Sequence, residues 1–188
     1  MISDVEASLL GLLCEAPKYG YEIEKLILDR NMRVWTDIAF SSIYYVLKKL
    51  EAKGLITSRL EAVEGKPSRR IYSMTPKGMQ ELRERLKWMI SVYHRVTSPF
   101  DIGLAYLSFL DEKDVRECLV LYRKSIDEQI AFNRGRLESI KKRVDWSWFI
   151  EGLVTRPLAH LDAEKRWLDE FVEEFEKHKA IKGGEKED

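Results

Sequence analysis

The chain has 188 residues, 45% of them hydrophobic, enough to bury a core in one large domain or two small ones. Lys and Arg together number 32, as do Asp and Glu, so the formal net charge is zero and the whole chain lacks the basicity of a typical nucleic-acid binder. The charge is nevertheless unevenly placed: residues 1–40 hold 4 basic and 7 acidic side chains, residues 41–95 hold 12 and 5, and residues 96–188 hold 16 and 20. An electrostatic footprint for an acidic partner therefore falls on the middle window.

Ser3 and Glu6 have capping-box spacing, and Val5, Leu9, Leu12 and Leu13 repeat at helical intervals up to Pro17. A second helix opens at Tyr19-Gly20-Tyr21-Glu22-Ile23, turns Ile23, Leu26 and Ile27 inward and runs to about Asn31. After the connection Trp35 to Ala39, Ser41 or Ser42 can cap a third helix. At about 100° per residue, Ile43, Val46, Leu47 and Leu50 gather on one side of it, and Ser41, Tyr44, Tyr45, Lys48 and Lys49 cover the other. Gly54 stands where a left-handed helix cap belongs, and Leu55 to Ala62 and Arg69 to Met74 read as strands around Glu64-Gly65-Lys66-Pro67-Ser68. Three helices followed by a two-stranded wing make a winged helix-turn-helix.

Thr75-Pro76-Lys77-Gly78 starts a fourth helix, whose Met79, Leu82, Leu86, Met89, Tyr93 and Val96 form a narrow seam that calls for a partner helix. Beyond Ser98-Pro99 the run PFDIGLAYLSFL is apolar nearly all round and is expected to be buried. A long helix from about Val115 to Arg143 and a last segment from Trp146 to about His178, with a kink or restart at Thr155-Arg156-Pro157, complete the pattern. The expected organisation is mainly α: a winged helix-turn-helix over 1–95, a helical dimerisation and effector domain over 96–180, and a disordered tail over 181–188.

Cys14 and Cys118 lie in apolar helical patterns and read as two buried, reduced thiols of a cytoplasmic protein. The acidic start MISDVEASLLGLL does not resemble a signal peptide, and the run Ile102 to Leu110 is too short to span a bilayer, so no membrane role is expected. His94, His160 and His178 lack ligand spacing, and no phosphate loop or nucleophile motif occurs, so neither a metal, a cofactor nor an enzyme activity is expected.

A helix fits the major groove of double-stranded DNA, where its outward side chains meet base edges, while a wing beside it reaches phosphates. Ser41, Ser42, Tyr44, Tyr45, Lys48 and Lys49 of the third helix, with Lys66, Ser68, Arg69 and Arg70 of the wing, are the candidate DNA-binding set. Trp146, Trp148, Phe149 and Trp167 enrich the last segment; they read first as core and dimer packing and alternatively as walls for a small aromatic or apolar effector.

The set Tyr19-Gly20-Tyr21-Glu22-Ile23, Ile43-Tyr44, Leu47, Leu50-Glu51, Gly54-Leu55-Ile56, Gly65 to Tyr72 and Thr75 to Gly78 resembles the PadR-like transcriptional regulators over most of residues 5–80. The resemblance adds Tyr21 to the DNA-binding set. It implies a homodimer held by C-terminal helices and a repressor released by a small-molecule or stress signal; a two-fold dimer in turn calls for an inverted-repeat operator. The chain departs from the family pattern at Ser41, where Gly is usual, and at Tyr45, where Pro is usual, so Tyr45 offers a hydroxyl and a ring that proline lacks. The competing expectations are a winged helix used for protein contacts and a ligand- or redox-sensing module.

Overall fold

A computed structural model describes residues 1–39, 43–63, 66–94, 97–142 and 147–184, with the side chains of Val63, Lys66, Pro67 and residues 179–184 left out. Ser41, Ser42, Trp146, the Lys66 side chain and residues 185–188 therefore lie outside the described residues. The chain divides into two compact units, Met1–Arg95 and Val96–Asp188.

In the first unit, helix α1 (Asp4–Glu15) starts at the anticipated capping box: the Glu6 N–H donates to Ser3 Oγ at 3.2 Å, and the Ser3 N–H donates to the Glu6 carboxylate at 2.8 Å. Pro17 holds its predecessor extended; Ala16 has φ −171° and ψ 160°, and the chain enters a short strand, β1 (Lys18–Tyr19). Helix α2 (Gly20–Asp29) buries Ile23 and Ile27, and α3 (Ile43–Ala52) buries Ile43, Val46, Leu47 and Leu50 against them and α1. Gly54, at φ +68°, turns the chain out of α3 in the left-handed region where other residues are strained. Strands β2 (Ile56–Val63) and β3 (Lys66–Met74) then form the wing. Thr75 caps α4 (Pro76–Ser91), accepting the Gly78 N–H at 3.0 Å.

The sheet has three strands in the order β1-β3-β2, so the wing carries one strand more than the anticipated pair, with Lys18 opposite Tyr72 and Tyr19 opposite Ile71. A strand of two residues has no periodicity to read, which is why the sequence shows only the Pro17 break. The α4 seam also stops early: Val92 is extended, at φ −115° and ψ 130°, and Tyr93 lies beyond the helix.

The second unit holds α5 (Pro99–Ala105), a 3-10 turn (Leu107–Phe109), α6 (Glu112–Lys141) and α7 (Trp148–Gly184). Val115, Leu119, Ile126 and Ile130 of α6 pack on Leu168 of α7, flanked by Leu158, Leu161 and Phe175. Arg116 pairs with Glu176 at 2.8 Å, Arg123 pairs with Asp169 and Lys165 with Asp127, fixing an antiparallel register. The Tyr122 hydroxyl, donating to Glu164 at 2.9 Å, is pushed up to about 12 by burial first and by Glu164 second. Helix α7 runs through Pro157 with no restart.

Two expectations fail here. The apolar run after Pro99 is open rather than buried, with Ile102 65% and Phe109 84% exposed, because α5 is only seven residues long and packs through Phe100, stacked on Tyr122 with ring centroids 4.1 Å apart. Both cysteines are exposed as well: the turns that carry them give their inward positions to Leu13 and Leu119, although Cys14 Sγ remains 3.6 Å from Met79 Sδ. Among the described residues no helix is long and apolar enough to cross a membrane.

Glu6 is the charged member of the first core. Its side chain is 2% exposed, and Oε1 accepts from Lys53 at 2.6 Å and lies 3.4 Å from Lys49, both on α3 or the turn that follows it. Burial pushes the carboxyl up, but Lys53, the Ser3 N–H and Lys49 outweigh it and hold Glu6 below its ordinary value of 4.5. The stability contributed by this pairing is thus fully present above the unfolded value and is lost as pH falls through the folded one. Urea unfolding of wild type and Glu6→Gln as a function of pH checks this. The gap between them is expected to be constant near neutrality and to shift against the wild type in acid below 4.5; a gap independent of pH contradicts the assignment.

Candidate nucleic-acid interface

The inward seat of Ile43, Leu47 and Leu50 sets which side chains α3 shows to solvent. Tyr45 is 70% exposed and Lys48 is exposed beside it, so both stand free on the outer face. Tyr44 and Lys49, on the flanks, are tied back. Burial first and the neighbouring Glu24 of α2 second raise the pKa of the Tyr44 hydroxyl. Its ring lies so close to Gly20 that a Cβ there would come within 2.5 Å of Tyr44 Cε1. Lys49 faces the buried Glu6.

In the wing, successive side chains point to opposite faces, and this separates Arg69 from Arg70. Arg70 is on the face towards α3: it donates to Ser58 Oγ at 3.0 Å and lies 3.7 Å from Glu51 of α3, and the Ser58 hydroxyl in turn donates to Glu51 at 2.5 Å. Arg69 is on the other face. It donates to the Tyr21 hydroxyl at 3.2 Å and lies 5.3 Å from the centre of the Tyr21 ring, which stacks on Tyr19 at 5.7 Å. The Tyr19 hydroxyl donates to Glu61, the residue opposite Arg69 in the β2-β3 register. Ser68 is exposed nearby.

The structure therefore joins Tyr21 to Arg69, and joins Arg70 to α3 through Ser58 and Glu51. Tyr19, Ser58, Glu51 and Glu61 belong to this arrangement without having been anticipated in it, as does Arg59, an exposed wing cation 3.9 Å from Glu61. The period-two alternation of β2 could have placed Ser58 and Glu61 on opposite faces; the antiparallel register that pairs Glu61 with Arg69 could not be read without the turn. The aromatic set of the second unit is not one site. Trp148 and Phe149 meet edge to face at 6.0 Å, whereas Trp167 packs with Phe100 and Phe171, about 28 Å further along the same helix at 1.5 Å per residue.

A helix presenting a phenol and an ammonium beside a basic hairpin matches the geometry by which winged helices meet a duplex. Residues 9–84 match the model of the transcriptional regulator PadR-like family. The match lies wholly within the first unit. The chain is 28% identical over 110 residues to the negative transcriptional regulator PadR of Bacillus subtilis, a match that covers 58% of this chain and 60% of that protein. The crystal structure of B. subtilis PadR in complex with operator DNA superposes with a TM-score of 0.72 at 23% identity, covering 92% of this chain and 99% of that one. Its complex with p-coumaric acid gives 0.74 at 22% identity, covering 92% and 98%. These two likenesses are likenesses of fold.

Within the first unit, the contact of Gly20 with Tyr44 links α2 to α3 and can be isolated by a double-mutant cycle. Gly20→Ala should cost about 1–3 kcal/mol in the wild type, through overpacking, and much less in a Tyr44→Ala background. Equal costs in both backgrounds by urea unfolding would show that the ring does not rest on Gly20.

Proposed function

We propose that this protein is a dimeric, sequence-specific DNA-binding regulator of transcription, acting as a repressor in the cytoplasm. The observation that carries the reading is the outer face of α3, with Tyr45 and Lys48 projecting beside a wing that bears Arg59, Arg69 and Arg70, inside the window that concentrates the positive charge. The matched family model and the name of the B. subtilis relative support transcription as the process and repression as the sign. In this reading residues 1–95 bind DNA, residues 96–180 make the dimer, and a two-fold dimer selects an inverted-repeat operator. The complex of B. subtilis PadR with p-coumaric acid supports release by a small effector. Trp148 and Phe149, exposed and touching each other, are the aromatic surface open to such a molecule.

The division of labour between wing and helix has separable consequences. Arg69→Ala and Arg70→Ala should weaken binding to operator and random duplexes alike, and each should reduce the salt slope by about one unit, the value for one phosphate left unneutralised. Tyr45→Ala should instead cost about 1–3 kcal/mol on the operator and much less on random DNA. Titrations at several salt concentrations, using the DNA upstream of the protein's own gene and a random duplex, decide the matter. Equal effects on both for Tyr45→Ala would mean that α3 does not read sequence.

The dimer is supported by the apolar surface a single chain leaves open, including Ile102, Tyr106, Phe109, Val120 and Leu121 in the second unit. Light scattering at micromolar concentration should give twice the chain mass of 22.1 kDa, and Phe109→Asp or Leu121→Asp should lower it. A monomeric wild-type mass would rule the dimer out.

A further inference from the structure

The three lysines on the polar side of α3 and its C-terminal turn fall into two classes. Lys48 projects outward with Tyr45. Lys49 and Lys53, one turn apart, both turn back to a single oxygen, Glu6 Oε1, at 3.4 and 2.6 Å. The exposures are unequal: the Glu6 side chain is 2% exposed, and those of Lys49 and Lys53 are 47% and 37%. Either lysine has room to swing towards a phosphate, whereas Glu6 is held in place beneath them. If both lysines left, the carboxylate would lose both cationic partners and keep the Ser3 N–H, and separating a largely buried charge from its partners costs more than one exposed phosphate contact returns.

We infer that Glu6 is a positioning residue for DNA binding, an internal counter-ion that keeps Lys49 and Lys53 off the phosphates. The inference rests on the proposed function, since it takes the outer face of α3 to meet DNA. Its consequence concerns selectivity. Attraction through phosphates is the same for every sequence, whereas discrimination comes from groups that meet bases. With two cations withheld at the flank of the reading helix, a larger share of the binding rests on Tyr45 and its neighbours. Glu6 also sits in the first turn of α1, where its bond to the Ser3 N–H fixes the carboxylate on its own helix, so the lysines come to the acid and not the reverse. A role confined to packing predicts that loss of Glu6 weakens every property of the protein; the counter-ion role predicts a gain in non-specific affinity.

The test is the salt dependence of binding to a fluorescein-labelled random-sequence duplex, followed by anisotropy with the full-length protein. Lys49→Met keeps the aliphatic stem and leaves Glu6 paired with Lys53, and its slope is expected to equal that of the wild type. Glu6→Gln keeps an acceptor for the Ser3 N–H and frees both lysines; it should bind the random duplex several-fold more tightly at low salt, with a slope steeper by about one to two units. The triple variant with Lys49→Met and Lys53→Met should return to the wild-type slope. A slope reduced by about one unit in Lys49→Met shows that this lysine already touches phosphate and overturns the inference. So does a folded Glu6→Gln, checked by circular dichroism, whose slope is unchanged or shallower. If Glu6→Gln does not fold, Lys49→Met and Lys53→Met decide alone: unchanged slopes support the inference and reduced slopes overturn it. Absence of any salt-dependent DNA binding by the wild type overturns the proposed function and the inference with it, whereas a reduced slope in Lys49→Met with wild-type binding intact overturns the inference alone.

Discussion

The rotation of α3 about its own axis is set by Ile43, Leu47 and Leu50, which are completely buried between α1, α2 and the base of the wing. Burying a side chain of this size is worth about 1.5–3 kcal/mol, against about 0–1 kcal/mol for an exposed ion pair. The core therefore decides which way the helix faces, and polar contacts adjust it. Because Ile43, Leu47 and Leu50 point inward, Tyr45 and Lys48 must point outward; no separate device is needed to display them. The same constraint brings Tyr44 against Gly20 and carries Lys49 and Lys53 to Glu6, so the flanks of the helix are restrained while its crest is free.

The wing is organised by the same kind of geometric necessity. Alternation along β3 sends Arg69 and Arg70 to opposite faces, and each finds a different support: the stacked tyrosines on one side, and Ser58 with Glu51 of α3 on the other. The short strand β1 makes the first of these possible, because pairing Tyr19 with Ile71 delivers Tyr19 and Tyr21 to the edge of the hairpin. Arg70 is bound to α3 through Ser58 and Glu51, which joins wing and helix on that face.

Much of this architecture was legible in the residues themselves. The capping box of α1 and the threonine cap of α4, the glycine after α3 and the helical spacing of Ile43, Val46, Leu47 and Leu50 led to elements close to those observed, because each depends on neighbours within one or two turns. Several of the failures involve partners distant in sequence. Two residues of β1 carry no pattern, and their strand exists only because β3 lies alongside. The cysteines occupy apolar stretches but fall on the outer side of helices whose inward positions are already filled. The run after Pro99 reads as buried because it is apolar, yet it packs through Phe100 on Tyr122 and Trp167 and through Leu107 on the α6–α7 core, and leaves Ile102 and Phe109 open. Lys49 lies at the flank of a polar face, and only the fold shows that a buried acid from α1 waits there. In the candidate site, residue type and face were readable, while the pairing of each charge was not.

Whether the protein meets DNA through α3 is decided by proximity. With Cys14 and Cys118 replaced by serine, an iron chelate tethered at Tyr45→Cys would cleave DNA only where that position approaches the sugar-phosphate backbone. Cleavage is expected to be confined to the protected site, in two clusters related by two-fold symmetry. A site that the protein protects but that is not cleaved from position 45 would show that the protein does not meet DNA through α3.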